Sequence, residues 1–267
     1  MSKSGAVVVE YNQAMGTWIS HLRIAEELLH TITGLDVPGF TFGSLAPDSG
    51  LPNEDWSEFD PPKTVTHYLP EGSGEYGTRD LQFFRKNVGV YPPVSRFDFS
   101  FKLGYFLHLV CDHLAAERFG QPSREYFDEL FQQKSSSEAW DLIKTDWYGL
   151  DHLYLRDHPD SLFWKVFLPA RIPLNPIPLI PQAAFVHQMK YIKEYYAHPD
   201  EKRVLDRPFP YMNEKTMARY VSDAAASCMK ILVSLRDKDP DAMAASAVEL
   251  LPANERAPFP PPLGDVS

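Results

Sequence analysis

His108 and Asp112 stand four residues apart in Phe101–Phe119, FKLGYFLHLVCDHLAAERF. On a helix that spacing puts both side chains on one face. The run is apolar almost all round, so an imidazole and a carboxylate within it need a compensating partner. A metal ion is one such partner, because His nitrogen and Asp oxygen both ligate zinc. Three residues of the same types lie upstream: His21 in WISHL, Asp48 in GSLAPDSG and His67 in VTHYL. About four ligands complete a zinc shell, so Asp48, His67, His108 and Asp112 suffice for one ion. His21 offers a ligand to a neighbouring ion that shares Asp112 as a bridge. Zinc brings the pKa of a bound water to about 7, and a pair of ions can stabilise both the attacking and the leaving oxygen of a phosphoryl group. The chemistry implied is metal-assisted hydrolysis of a phosphoric ester, with Asp48 or Glu54 as the carboxylate that orients the attacking water. Blander readings stand beside this one. His21 suits a satisfied core histidine, Asp48 a turn or cap residue, and the His108/Asp112 pair a structural hydrogen bond.

The elements that must position these residues are helical. Trp18, His21, Leu22, Ala25, Leu28, Leu29 and Ile32 recur at helical spacing between Thr17, a candidate N-cap, and Gly34. Residues 35–65 read as a long ordered loop, with a short helix at Phe40–Leu45 and turns at Pro47-Asp48 and Pro52-Asn53. Gly72, Gly74 and Gly77 mark a surface loop. Asp80–Val88 reads as one or two helical turns, and Pro92-Pro93 ends that segment. The apolar helix around His108 follows, with Asp98 or Ser100 as its cap. Further helices are expected over Ser123–Gln133, Ser136–Lys144, Trp147–Arg156, Asp160–Leu168, Pro181–Ala197 and Glu214–Arg236. Pro169–Pro181 holds five prolines and cannot be regular. Ala6–Val9 is the one strand candidate. The expected fold is all-α and single-domain: an N-terminal extension (1–16), a helical domain (17–251) and a proline-rich tail (252–267) of disordered or peripheral, extended chain.

With hydrophobic residues at 44% of the chain and aromatic residues at 13% of it, the 267-residue chain can bury a substantial core. Its net charge of −10 argues against a nucleic-acid partner. A small phosphate ester held through a metal remains compatible with it. The start, MSKSGAVVVEYNQ, lacks the apolar length of a signal peptide, and no run suits a membrane span. The two cysteines, Cys111 and Cys228, fit a reducing compartment, so a cytoplasmic location is expected. Cys111 reads as a buried thiol, not a ligand.

Five segments together resemble the zinc-dependent phospholipase C family, in its divergent intracellular branch: WISHLRIAEELL, FGSLAPDSGLPNEDW, THYL, FKLGYFLHLVCD and DWYGLDHLYL. They lie between residues 17 and 160. The resemblance implies an all-helical fold shared with fungal single-strand-specific nucleases, up to three zinc ions in a cleft, and phosphodiester cleavage. It assigns Asp48, His67, His108 and Asp112 to the first zinc shell, and likens His21 to a histidine that joins Asp112 at another ion. Two departures reduce the implied set to one or two ions. Secreted members bind metal through a processed N-terminal Trp, whereas here sixteen residues precede Thr17 and Trp18 reads as packing. They also carry a later His beyond the equivalent of Asp112, where this chain has Arg118, which reads as a salt-bridge partner of Glu117 or Asp112. Asp146 and Asp151 are the acidic candidates to replace the missing ligands. A phospholipid substrate follows from the resemblance alone, and a small soluble phosphate ester is equally compatible; stable membrane insertion is not expected. An HD-type phosphohydrolase needs a His-Asp doublet, and this chain's doublets run Asp-His, as in Asp112-His113. A scaffold or binding protein with one structural metal is the non-enzymatic alternative.

Overall fold

The computed structural model describes residues 16–54, 58–70, 78–89, 94–198, 203–237 and 245–261, and these are all-α. Thr17 caps the first helix, α1 (Trp18–Thr31), through its side chain and the Ser20 N–H. Asp36 caps the short α2 (Val37–Gly43), which runs into a 3₁₀ turn at Ala46–Asp48. A two-residue antiparallel pair, Leu51–Pro52 with Phe59–Asp60, leads to α3 (Lys63–Thr66). Next come α4 (Asp80–Phe83), which continues into a π-helical turn at Phe84–Val88, and α5 (Arg96–Ala115), which continues into another at Ala116–Gly120. Two short helices, α6 (Gln121–Tyr126) and α7 (Asp128–Gln133), precede the long α8 (Ser136–Asp157). The chain ends with α9 (Gln182–Ala197), α10 (Glu214–Asp237) and α11 (Ala253–Arg256).

α5 is the central element, buried almost continuously from Ser100 to Ala115. That is why its apolar residues run all round and not along one stripe. Two glycines set its approach to α2. A Cβ on Gly104 would stand 2.5 Å from the Phe40 carbonyl, and one on Gly43 would collide with the Phe101 carbonyl. The backbones therefore lie nearly in contact, and the chain leaving α2 is held against α5 one turn beyond Gly104.

Several expectations change in detail. Ser95, not Asp98 or Ser100, caps α5 through the Asp98 N–H, because the helix begins earlier than its apolar run. Ser136–Lys144 and Trp147–Arg156 form one helix, opened by a capping box of Ser135 and Glu138 with no breaker inside it. The expected Ser123–Gln133 helix is interrupted at Phe127, whose φ of −115° and ψ of 34° leave the helical region. Asp160–Leu168 shrinks to a π-helical turn at Phe163–Phe167, and the proline-rich stretch after it is irregular as expected. The Ala6–Val9 strand and the glycines at 72, 74 and 77 lie outside the described residues.

The tail is not peripheral over its described part. Buried Arg118 donates to Ser227 Oγ at 2.7 Å and to the Glu255 carbonyl at 2.8 Å, and its own carbonyl accepts from the Phe259 N–H. Phe259 is 4% exposed. Arg118 therefore pairs with neither Glu117 nor Asp112; it fastens the C-terminal segment to the bundle. Upstream of it, buried Asp80 accepts from Ser246 Oγ (2.6 Å) and the Ala247 N–H (2.7 Å). Burial pushes the Asp80 carboxyl up to about 6 against those two bonds.

Candidate metal centre

His108 is seated from two sides. α5 supplies the side chain, and the chain leaving α2 supplies the Ser44 carbonyl that accepts from Nδ1–H at 2.8 Å. With its proton at Nδ1, the ring turns the Nε2 lone pair inward. His67, at the end of α3, is held similarly. The Thr66 hydroxyl donates to the Lys63 carbonyl and lies 2.9 Å from His67 Nδ1, while Tyr105 on α5 donates to the Thr66 carbonyl at 2.5 Å. The two Nε2 atoms face each other at 3.3 Å.

Two carboxylates close this pair. Asp112 Oδ2 stands 3.2 Å from His108 Nε2 and 3.4 Å from His67 Nε2. Asp48, delivered by the 3₁₀ turn after α2, places Oδ1 3.4 Å from His67 Nε2 and Oδ2 3.9 Å from His108 Nε2. Ligand atoms at ~2.0–2.1 Å from a tetrahedral zinc stand about 3.3–3.4 Å apart, and the spacings among His67, His108 and Asp112 match that edge. Asp112 Oδ2 is buried and makes no hydrogen bond. A buried carboxylate oxygen facing two imidazole nitrogens without hydrogen-bond geometry is the donor arrangement of a cation site. These residues fit a divalent metal.

Two sets of three could hold an ion: Asp48, His67 and His108, and His21, His108 and Asp112. They share His108, whose Nδ1 is engaged by Ser44 and whose Nε2 has one lone pair, so they cannot both be filled through it. The other oxygen of Asp112 is already occupied. Oδ1 lies 3.1 Å from His21 Nε2 and accepts from the Gly16 N–H at 3.2 Å. A Cβ at position 16 would stand 2.7 Å from His21 Nε2, so only glycine admits this approach.

Electrostatics follow from the same packing. Burial alone would raise Asp112, but His108, His21 and His67 hold its carboxyl well below the usual range. Asp48 behaves alike: burial raises it, and His108, His67 and Lys63 together bring it below its ordinary value. Burial lowers His21, helped by the neighbouring His108 ring stacked 3.9 Å away. His108 is raised, because Asp112 and Asp48 outweigh its burial. A cation in the pocket replaces that positive charge.

The two acidic candidates on α8 have other partners, which corrects their expected place in the ligand set. Asp146 accepts from Arg207 Nη1 at 2.6 Å and the Tyr211 N–H at 2.7 Å. Asp151 accepts from Thr17 Oγ1 at 2.7 Å and Tyr196 OH at 2.5 Å. Burial lifts the Asp151 carboxyl to about 7 despite those bonds. Trp18 packs among Tyr148, Tyr191, Tyr195 and Tyr196. Cys111 is a buried free thiol, 3.7 Å from Cys228 Sγ. Glu54 is exposed.

Beside Asp48 and His67 opens a cleft of about 280 Å³, lined also by Trp18, Phe59, Lys63, Gln188 and Tyr191. Asp48 is the ligand candidate that faces it: its side chain is 16% exposed, against 5% for Asp112 and 1% or less for His67 and His108. Sequence reading missed Lys63, Gln188 and Tyr191. Gln188 and Tyr191 share a helix face at i, i+3, but the apolar stripe of Phe185, Met189, Ile192 and Tyr196 next to it masks that face.

Fold and site together define an all-α protein with a buried His/Asp centre able to hold a metal. No protein-family model, no curated protein and no solved structure matches the chain. Among the described residues no helix is long and apolar enough to cross a membrane.

Proposed function

We propose that the chain is a metal-dependent hydrolase of a phosphoric ester, as its resemblance to the zinc-dependent phospholipase C family implies. One divalent ion, zinc by donor type, is held by Asp48, His67, His108 and Asp112. The observation that carries this reading is the set of near-tetrahedral spacings among His67, His108 and Asp112, with Asp48 beside His67 at the wall of a cleft. When bound, such an ion supplies Lewis-acid stabilisation of the phosphoryl oxygens. The residues do the rest. His21 and the Gly16 N–H fix one oxygen of Asp112, leaving the other for the ion. Ser44 and Thr66 fix the tautomers of His108 and His67. Asp48 is the most exposed of the four and the farthest from His108, so its Oδ2 orients a water entering from the cleft and accepts its proton. The substrate is a small soluble ester, and the cell interior is its proposed location. The −10 charge disfavours nucleic acid.

The test is metal analysis of purified protein with turnover of 4-nitrophenyl and bis(4-nitrophenyl) phosphate. The proposal expects one equivalent of metal and chelator-sensitive turnover, both lost in His108→Ala and Asp112→Ala. A structural ion in a scaffold is the second reading, favoured by the fact that four protein ligands close a tetrahedron, as in structural zinc sites. Retained metal with no turnover of either ester selects it.

A further inference from the structure

Both groups that grip Asp112 Oδ1 hang on one residue, Thr17. Gly16, whose N–H donates to that oxygen at 3.2 Å, is its neighbour in the chain. His21, whose Nε2 stands 3.1 Å from the same oxygen, lies one turn on and donates its backbone N–H to the Thr17 carbonyl at 3.0 Å. The buried apolar residues of α1 begin only at Ile19. Gly16 has no side chain with which to pack, so among the described residues its place at Asp112 depends on what holds Thr17.

That hold is polar, and it comes from two other helices. The Thr17 hydroxyl accepts from the Ser20 N–H at 3.2 Å, which caps α1, and donates to Asp151 Oδ1 at 2.7 Å. The Ser20 hydroxyl donates to the Thr17 carbonyl at 2.7 Å. Asp151 stands on α8, and its other oxygen accepts from the Tyr196 hydroxyl on α9 at 2.5 Å. Thr17, Asp151 and Tyr196 are all buried. Each carboxylate oxygen has a donor, and a buried network satisfied in this way is rigid. Stability alone does not ask for it, because apolar residues of similar volume often replace buried charged groups at no cost. What the network supplies is a fixed position for the start of α1.

We propose that Asp151 is a positioning residue of the metal centre. Through Thr17 it fixes the entry to α1, and with it the Gly16 N–H and His21 on Asp112 Oδ1, so that Oδ2 stays turned to His67 and His108. Groups that bond a ligand's free atoms orient that ligand and tune its affinity for the ion. Asp151 acts one bond further out, through the two groups that do so. The proposal rests on the metal-binding part of the hydrolase reading and needs no turnover.

The experiment uses the full chain and two probes. Competition with a chelating dye gives the Zn2+ affinity, and the visible spectrum of bound Co2+ reports the geometry of the ligands. Urea unfolding of metal-free protein runs alongside. The proteins are wild type, Thr17→Ser, Thr17→Val and the double variant Asp151→Leu/Tyr196→Phe. Thr17→Ser keeps the hydroxyl and should bind Zn2+ within about twofold of wild type. Thr17→Val and the double variant should each weaken Zn2+ about three- to tenfold, less than the roughly 10–100-fold lost when a direct partner of a ligand is removed. Both should also alter the Co2+ bands. The double variant replaces buried polar groups by apolar ones and leaves Thr17 as the cap of α1, so its metal-free stability should stay close to wild type.

Wild-type affinity and an unchanged Co2+ spectrum in either Thr17→Val or the double variant overturn the proposal, whatever happens to stability. So does a Thr17→Ser protein as weak as Thr17→Val, because the hydroxyl is then not the anchor. A wild-type chain that binds neither ion overturns this proposal together with the reading it rests on. Metal bound in the expected order by a chain that turns over no ester sinks the hydrolase reading and leaves this one standing.

Discussion

Asp112 serves two neighbours with its two oxygens. Oδ1 is tied to His21 and Gly16, and Oδ2 is left, unbonded, against His67 and His108. Asp112→Asn keeps the shape but removes the charge, and should cut metal affinity about 10–100-fold or more, read by competition with a chelating dye. The i, i+4 pair on α5 was legible because helical spacing alone puts His108 and Asp112 together. Asp146 was not: its partners, Arg207 and Tyr211, lie more than sixty residues along the chain, and no local pattern links them. Asp151 makes a separate, pH-dependent statement. Its folded value, about 7, lies above its unfolded value of about 4. Across that window the folded state keeps a proton that the unfolded state has released. The Asp151 contribution therefore falls as pH rises from about 4 to about 7 and is flat above. A shift of three units corresponds to about 4 kcal/mol. Asp151→Asn should flatten this part of the stability–pH curve and raise stability at pH 7.5 relative to pH 4.5, measured by urea unfolding at both pH values.

The site depends on how α2 meets α5. Glycines at 43 and 104 let the two backbones touch, and the same contact sets the Ser44 carbonyl under His108 and launches the turn that carries Asp48. Gly104→Ala should push α2 away. The overpacking should cost about 1–3 kcal/mol, and metal affinity should fall although no ligand has changed. Parallel urea unfolding and metal titration check this. A variant that is destabilised yet binds metal normally would break the link between this contact and the site. The helices themselves were largely readable, since apolar periodicity and caps are local signals. The start of α5 was not, because Ser95 caps it a full turn before the apolar run starts. The break at Phe127 had no Pro or Gly to announce it.

At the level of the whole molecule, the bundle is closed by its own C-terminal segment. Arg118 and Phe259 hold that segment down, where composition alone suggested loose, proline-rich chain. Prolines report that no regular helix forms, but they do not report what a single buried Phe docks against. Phe259→Ala should cost about 3 kcal/mol in unfolding free energy and leave metal content unchanged, since Phe259 contacts Arg118, Tyr126 and Arg219, none of them a ligand candidate. The metal should couple to global stability as well. An ion at about 100 times its Kd stabilises by about 2.7 kcal/mol, so chelation should lower the melting temperature of the wild type and not that of Asp112→Ala. The central claim is that Asp48, His67, His108 and Asp112 share one cation. Anomalous diffraction at the zinc edge from a zinc-loaded crystal tests it most directly. The account predicts one peak at about 2.0–2.2 Å from His67 Nε2, His108 Nε2 and oxygens of Asp48 and Asp112. A crystal with no peak there, or with its peak on other side chains, contradicts it.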